Sequence, residues 1–160
     1  MKVMILVSLV LSSLLLLSGC GSFDNKQLQK KHTGLVLVNV LDKDLFDDCH
    51  IKGSINIPFE SIEICADIIN KDAEVVFYCS NYFCLASSQA CAIAKKQGFS
   101  RVYAYEGGTA EWFLNGLPVE GPAQSSYLKR RLMPSGEHNP EIASISMDEL
   151  AAKMGILPSK

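Results

Sequence analysis

Short apolar segments alternate with helix-forming segments through the middle of this chain, and that alternation limits the folds available to it. The run Leu35–Val40 is nearly continuously apolar, as expected for a strand buried on both faces. Further strands are predicted at Ile55–Ile57, Glu74–Tyr78 and Arg101–Tyr105. Helices are predicted at Asp42–Asp48, Phe59–Asn70, Ala86–Gln97 and Thr109–Leu114. This order indicates an α/β domain with a parallel sheet and helices on both of its faces.

The first 19 residues have the features of an export signal. Val3–Leu17 is almost wholly apolar and follows a lysine, but it is short for a membrane span. Leu17-Ser18-Gly19-Cys20 resembles the bacterial lipoprotein signal, in which Cys20 becomes the lipidated N-terminus. An uncleaved anchor helix is the alternative. Because Gly21 is not the aspartate associated with inner-membrane retention, we expect a lipid-anchored envelope protein at the outer membrane, facing the periplasm.

Composition divides the chain into four parts and argues against a nucleic-acid partner. The predicted parts are a signal peptide (1–19), a tether (20–33), the α/β domain (34–122) and a C-terminal tail (123–160) with a short helix near 146–154. Ser146-Met147-Asp148-Glu149 has the capping-box pattern ahead of that helix. The formal charge is −2, and no basic stripe exists beyond Lys129–Arg131. The tail could pack on the domain, bind a protein partner or be loose.

Cys79 stands where the strand Glu74–Tyr78 ends and the loop before the helix Ala86–Gln97 begins. It could be a nucleophile, a metal ligand, half of a structural disulfide or a small buried residue. Such loops are where open α/β sheets bind ligands. The helix dipole and the loop amides there should lower the pKa of Cys79 below its usual value of about 8.5, which favours the nucleophile.

Two other chemistries are disfavoured at this loop. Phosphoryl transfer needs an arginine six residues after the cysteine, and that position is Leu85. The Cys79-x₄-Cys84 spacing would allow a zinc ligand pair, but no second close pair follows it, so we predict no metal and no cofactor. The five cysteines after Cys20 are an odd number, which argues against a full disulfide scaffold even in an exported chain.

Several motifs in series resemble a single rhodanese domain running from about Leu35 to Gly121. They are Leu37–Val40, His50–Pro58, Val75–Cys79, Tyr105–Trp112 and Gly116–Val119. The resemblance implies a five-stranded parallel sheet flanked by helices on both faces. It also implies a persulfide on Cys79, taken from a small sulfane-sulfur donor and passed to a thiophilic acceptor such as a thiol. The residues implied to surround that cysteine are Ser80, Asn81, Tyr82, Phe83 and Leu85.

The chain departs from the family pattern at three places. Asn39-Val40-Leu41 stands where the family usually has Asp-Val-Arg, and Cys49 replaces a glycine. The arginine and glycine usual inside the loop give way to the sequence Asn81–Cys84. Without a cation, the loop could hold thiosulfate only through backbone amides and the helix dipole. We therefore expect inefficient transfer from thiosulfate to cyanide.

Cys84 opens an alternative chemistry. It could resolve a persulfide or sulfenate on Cys79 by forming a disulfide, or it could simply face the core. Three functions therefore stay open: an envelope sulfurtransferase, a thiol redox protein cycling a Cys79–Cys84 disulfide, and a non-enzymatic lipid-anchored binding module. Other candidates are given structural roles. Cys65 and Cys91 are predicted in the core, His50 is predicted to order a turn, and Trp112 is predicted to pack at the edge of the domain.

Overall fold

The computed structural model of the protein describes residues 32–130 and 140–156. Its strands are β1 (Leu35–Asn39), β2 (His50–Ile51), β3 (Ile55–Asn56), β4 (Glu74–Tyr78), β5 (Arg101–Tyr105) and β6 (Val119–Glu120). Its α-helices are α1 (Lys43–Asp48), α2 (Cys65–Ile68), α3 (Ala86–Lys96), α4 (Gly108–Leu114) and α5 (Met147–Lys153). Two 3₁₀ helices span Phe59–Ile64 and Ser126–Lys129. The signal peptide, Cys20 and most of the predicted tether lie outside the described residues.

The central sheet is parallel and has the strand order β3-β1-β4-β5. Within the described residues it has four strands rather than the five predicted, and β2 pairs separately with β6 in antiparallel orientation. The position beyond β5 is taken by the tail, where Ser144 forms a parallel bridge with Ala104. Ala104 donates to the carbonyl of Ala143 (2.9 Å) and accepts from the amide of Ile145 (3.0 Å). The tail thus continues the sheet by one residue pair.

The sheet is buried on both faces because side chains alternate between two apolar clusters. Along β4, Val75 and Phe77 point into one cluster while Val76 and Tyr78 point into the other. This explains the continuous apolar runs in the sequence. The first cluster includes Cys65 and Cys91, together with Ala90 and Ala94 of α3. The second includes Trp112, Tyr105, Leu150 and Ala151. The predicted core positions of Cys65, Cys91 and Trp112 are confirmed.

One predicted helix has a different form. The segment Phe59–Asn70 is a 3₁₀ helix over Phe59–Ile64 followed by the four-residue helix α2. Ile62 and Cys65, which are three residues apart, both face the first cluster. Side chains three residues apart align in a 3₁₀ helix. The spacing of these two residues is therefore compatible with a 3₁₀ helix as well as with the α-helix that was predicted.

The described part of the tail packs on the domain. Ile142 joins the first cluster, and Ile145 and Leu150 join the second. The predicted capping box is present: the Ser146 side chain accepts from the Glu149 amide, and the Glu149 carboxylate accepts from the Ser146 amide. Of the three outcomes open for the tail, residues 140–156 show the packed one. No helix within the described ranges is long and apolar enough to cross a membrane.

Candidate active site

The loop that begins at Cys79 is held at the C-terminal edge of the sheet by the start of α4. The carbonyl of Cys79 accepts from the Thr109 amide (2.9 Å) and from the Thr109 hydroxyl (3.2 Å). The carbonyl of Ser80 accepts from the Ala110 amide (3.0 Å). The β5–α4 turn therefore fixes the first two residues of the loop. Sequence reasoning gave Thr109 no role, because nothing in the local pattern shows which strand end it adjoins.

Gly108 allows this close approach. It has φ +62°, and a Cβ there would lie 2.5 Å from the Cys79 carbonyl oxygen and 2.8 Å from the Asn81 nitrogen. Both the backbone conformation and the lack of space therefore require glycine. Gly108 is thus also part of the packing surface for the cysteine loop.

The loop turns back on itself around Asn81. The Asn81 side-chain oxygen accepts from the Phe83 amide (3.0 Å), and its backbone carbonyl accepts from the Cys84 amide (3.0 Å). This turn carries Cys84 back beside Cys79. The Cys79 Sγ lies 3.0 Å from the Cys84 carbonyl oxygen, and each thiol shifts the pKa of the other, so the two cysteines that the sequence singled out are brought together.

The Cys79 thiol is fully buried and faces mainly carbonyl oxygens. Its Sγ lies 3.0 Å from the Cys84 carbonyl, 3.9 Å from the Asn81 carbonyl and 3.8 Å from the Ser87 hydroxyl. Burial, followed by the interaction with Cys84, raises the pKa of Cys79 above that of an ordinary thiol. The predicted lowering of the pKa of Cys79 is therefore wrong. The helix terminus is nearby, but the buried sulfur faces acceptors that disfavour a negative charge.

Cys84 has the environment that was expected of Cys79. Its thiol is only partly buried, and the pKa of Cys84 is lowered to about 6. The interaction with the Cys79 side chain is the largest cause, and interactions with the backbone of Ala86 and with the backbone and side chain of Ser80 act in the same direction. Burial acts in the opposite direction. The directions of the two shifts therefore favour a negative charge on Cys84 over one on Cys79.

The remaining loop residues divide between a cleft and solvent. Phe83 is 65% exposed and Leu85 is 54% exposed. The Tyr82 hydroxyl donates to Glu111 (2.7 Å), whose other carboxylate oxygen accepts from the Tyr105 hydroxyl (2.9 Å). Beside them lies a cleft of about 430 Å³, lined by Tyr82, residues 105–107, Glu111 and residues 144–149 of the tail. Sequence reasoning missed Glu111 as the anchor of Tyr82, although it lies within a motif that had been singled out.

The other cysteines and His50 lie outside this arrangement. Burial raises the pKa of Cys49 to about 11, that of Cys65 to about 11 and that of Cys91 to about 12, so none of the three is a good nucleophile at neutral pH. His50 stacks on Phe46 with ring centroids 3.8 Å apart, and its Nδ1 lies 2.7 Å from the Phe46 carbonyl. These contacts agree with the turn-ordering role predicted for His50. Among the described residues, no three His, Cys, Asp or Glu side chains gather closely enough to hold a metal ion.

Fold, loop and cysteine together define a rhodanese-like protein. Residues 24–115, more than half of the chain, match the model of the rhodanese-like domain, and the chain belongs to that family. It is 31% identical to the BH2092 protein from Bacillus halodurans, with a TM-score of 0.53 over 56% of this chain and 66% of that structure. The sequence-based prediction of the fold class is thereby confirmed.

Its relatives include named sulfurtransferases. The chain is 38% identical over 72 residues to a sulfurtransferase from Allochromatium vinosum, covering 45% of this chain and 65% of that protein. It is also 38% identical over 85 residues to the thiosulfate sulfurtransferase GlpE from Pseudomonas savastanoi, covering 51% of this chain and 76% of that one. An HTH-type transcriptional regulator from Mycobacterium tuberculosis, Rv0324, is 33% identical over 94 residues, covering 58% of this chain but only 41% of its own length. The chain thus spans less than two thirds of the first and third of these relatives.

Proposed function

We propose that this protein is a sulfurtransferase of the cell envelope that carries a persulfide on Cys79. The observation that carries the proposal is the place of Cys79, which follows β4 directly and opens a loop shared with a second thiol in a rhodanese-like fold. Among the described cysteines, Cys84 is the one whose pKa is lowered, and its thiol interacts with that of Cys79.

The transfer balances without a cofactor. A cysteine thiolate attacks the terminal sulfur of a donor R–S–SH, a new S–S bond forms, and RS⁻ leaves with the electron pair of the broken bond. An acceptor thiolate then attacks the terminal sulfur of the protein persulfide, and the protein cysteine leaves as its thiolate. The donor and acceptor are thus a small persulfide or polysulfide and a thiol.

The charges near the site disfavour thiosulfate as the donor. The loop 79–85 carries no cationic side chain. The adjoining cleft is lined by the carboxylates of Glu106, Glu111, Asp148 and Glu149 and by no lysine, arginine or histidine. A dianion entering this region would meet like charges with only backbone amides to hold it. We therefore propose a donor of lower charge.

Intact-protein mass measured after mixing with cysteine hydropersulfide, polysulfide or thiosulfate tests this function. A gain of one sulfur atom, lost again when a thiol acceptor is added, is the expected result with the first two donors. A protein that neither gains sulfur nor passes it on would refute the sulfurtransferase proposal and favour a binding module.

A thiol redox function is the second candidate, and the closeness of Cys79 to Cys84, whose thiols shift each other's pKa, favours it. In this chemistry, one thiolate attacks the inner sulfur of a persulfide on its partner. A Cys79–Cys84 disulfide forms and HS⁻ leaves, so two thiols are oxidised and one sulfane sulfur is reduced. A loss of two hydrogens from the intact mass, instead of a gain of sulfur, would identify this route.

Export and lipidation at Cys20 complete the proposal. They are supported by the apolar run that ends in Leu-Ser-Gly-Cys. Cys20→Ala should release the protein from membranes or block its processing, as seen by fractionation and intact mass. Unchanged membrane association and mass in that variant would count against the lipid anchor.

A further inference from the structure

The loop over Cys79 carries two large apolar side chains on its solvent side. Among the residues that the structure describes, four large apolar side chains are exposed, and two of the four, Phe83 and Leu85, belong to this loop. The other two, Ile64 and Leu114, lie in helical segments outside it. Single exposed apolar residues are common on protein surfaces. A pair within three residues, on the loop that covers the candidate nucleophile, indicates a contact site.

Hydrogen bonds fix the tip of the loop and so keep these side chains outward. The Asn81 side-chain oxygen accepts from the Phe83 amide (3.0 Å), and the Tyr82 hydroxyl donates to Glu111 (2.7 Å). The Glu111 carboxylate has room for this contact because Gly107 has no side chain, and a Cβ there would overlap the carboxylate. The tip is therefore tied to α4, and its apolar side chains face solvent rather than the core.

The loop also separates the sulfur of Cys79 from solvent. Cys79 is fully buried, and its Sγ lies 3.0 Å from the Cys84 carbonyl oxygen and 3.9 Å from the Asn81 carbonyl oxygen, both of which belong to the loop. A donor and an acceptor alike therefore reach this sulfur only when residues 81–85 shift. The side chains that an entering molecule meets first are the two exposed apolar ones.

Loading and release of sulfur place the small molecule in the same position. In release, an acceptor thiolate R–S⁻ attacks the terminal sulfur of Cys79–S–SH, R–S–SH forms, and Cys79 leaves as its thiolate with the electron pair of the broken bond. Loading is the reverse. In both, the sulfur that carries R is two S–S bond lengths, about 4 Å, from the Cys79 sulfur. Because the loop carbonyl of Cys84 lies 3.0 Å from that sulfur, R extends past the loop backbone to its outer side.

The charges around the loop restrict what R can be. Residues 79–85 carry no charged side chain, and four carboxylates line the adjoining cleft. An anionic R would meet like charges there. An apolar R would instead be removed from water against Phe83 and Leu85, which is favourable in proportion to the area buried.

We propose that Phe83 and Leu85 are specificity-determining residues, which select donors and acceptors whose substituent R is apolar and uncharged, such as alkyl persulfides and alkyl thiols. The proposal rests on the proposed sulfurtransferase function and names the class of sulfur compound that the function uses. The two side chains contact R and not the reacting sulfur atoms. They therefore change the rate with one acceptor relative to another.

The test starts from the persulfide form of the protein, made with polysulfide, and follows the loss of its sulfur by intact mass. The acceptors are butanethiol (apolar), mercaptoethanol (polar and neutral), mercaptopropionate (anionic) and cysteamine (cationic). Each rate is divided by the rate of the same thiol with cysteine hydropersulfide in solution, which removes differences in intrinsic reactivity. One buried methylene gains about fourfold, so the normalised rate of butanethiol should exceed that of mercaptoethanol roughly tenfold and that of mercaptopropionate by more.

Variants at exposed positions assign the preference to the loop. Phe83→Ser combined with Leu85→Ser should reduce the preference for butanethiol over mercaptoethanol to about twofold or less, because no apolar surface remains for R. Ile64→Ser is the matched control, since it removes an apolar side chain that is 46% exposed and lies outside the loop. It should keep the wild-type preference. Urea unfolding checks that the variants are folded.

Three results would overturn the assignment. The first is equal normalised rates for butanethiol and mercaptoethanol in the wild type. The second is a preference that survives in the double variant or is lost equally in Ile64→Ser. The third is a normalised rate for cysteamine above that for butanethiol, which would mean that the cleft carboxylates select the acceptor. A wild type that takes up no sulfur from polysulfide would instead refute the sulfurtransferase function itself.

Discussion

Replacing Gly108 by alanine should disturb the active site and the stability of the protein together, whereas the same change at Gly116 should affect stability alone. Both glycines have positive φ, +62° at Gly108 and +69° at Gly116. Around Gly116 a new Cβ meets no atom within 4 Å. At Gly108 it would lie 2.5 Å from the Cys79 oxygen and 2.7 Å from the Ser80 carbonyl carbon. These are backbone atoms, so no rotamer change can make room.

The size of each effect follows from these contacts. Left-handed backbone costs an alanine about 1–2 kcal/mol. The less flexible unfolded chain returns about 0.4–1 kcal/mol, so Gly116→Ala should destabilise by about 1 kcal/mol. At Gly108 the loop must also move away from α4, which weakens the hydrogen bonds from Thr109 and Ala110 to the loop carbonyls. At about 1 kcal/mol for each bond, Gly108→Ala should destabilise by about 3 kcal/mol.

Urea unfolding followed by the fluorescence of Trp112, the sole tryptophan, measures the stability difference. The rate of alkylation of Cys84 near pH 6.5 reports the loop. We expect the rate to change in Gly108→Ala and to match the wild type in Gly116→Ala. Equal destabilisation by the two substitutions, with unchanged alkylation in both, would show that the contact between Gly108 and the loop does not position the thiols.

Three further predictions concern the tail, an acid-sensitive contact and the loop tip. Leu150→Ala, at a fully buried position, should lower the free energy of unfolding by about 2–5 kcal/mol in urea; a change near zero would mean that α5 is not part of the core. Hydrogen bonds from Ser125 and Gln124 lower the pKa of Asp48, so its stabilisation is present above the unfolded pKa of about 3.9 and is lost as the pH falls through the lower folded value. Asp48→Asn should thus melt below the wild type at pH 7, and the two melting temperatures should converge in strong acid; a constant difference would contradict this. Tyr82→Phe removes the hydroxyl that donates to Glu111 and should destabilise by about 1.5 kcal/mol in the same urea assay, with no effect expected if the loop tip is not anchored there.

The sequence was most informative where a pattern depends on burial or on local backbone geometry. Leu35–Asn39 and Glu74–Tyr78 were correctly predicted as central strands, because strands buried on both faces are apolar at nearly every position. The helix predicted at Ala86–Gln97 is α3, which ends at Lys96, and Gly98 just beyond it has the positive φ (+93°) that is common after helix ends. The pairing of Ser144 with Ala104 left no such signal. A single bridge at a sheet edge needs no alternating run, and only tertiary packing brings the tail there.

The candidate site shows a similar division. The sequence predicted that Cys79 opens a strand-to-helix loop and that Cys84 could approach it. It did not predict that the Cys79 sulfur would be buried and would face carbonyl oxygens. That depends on the turn at Asn81, which directs the carbonyls of Asn81 and Cys84 towards Cys79. Residue type gives little information about such orientations, because any amide in a loop can point either way.

The packed part of the tail bears on the choice between an enzyme and a binding module. Residues 144–149 line the cleft beside Tyr82 while Ile145 and Leu150 fill the core beneath it. The same segment pairs with β5 and so covers an edge that would otherwise be open to other chains. A tail that recruits a partner would need a free face, and these residues use their apolar side chains within the domain. The described tail is therefore a part of the domain's core and of the cleft wall beside Tyr82.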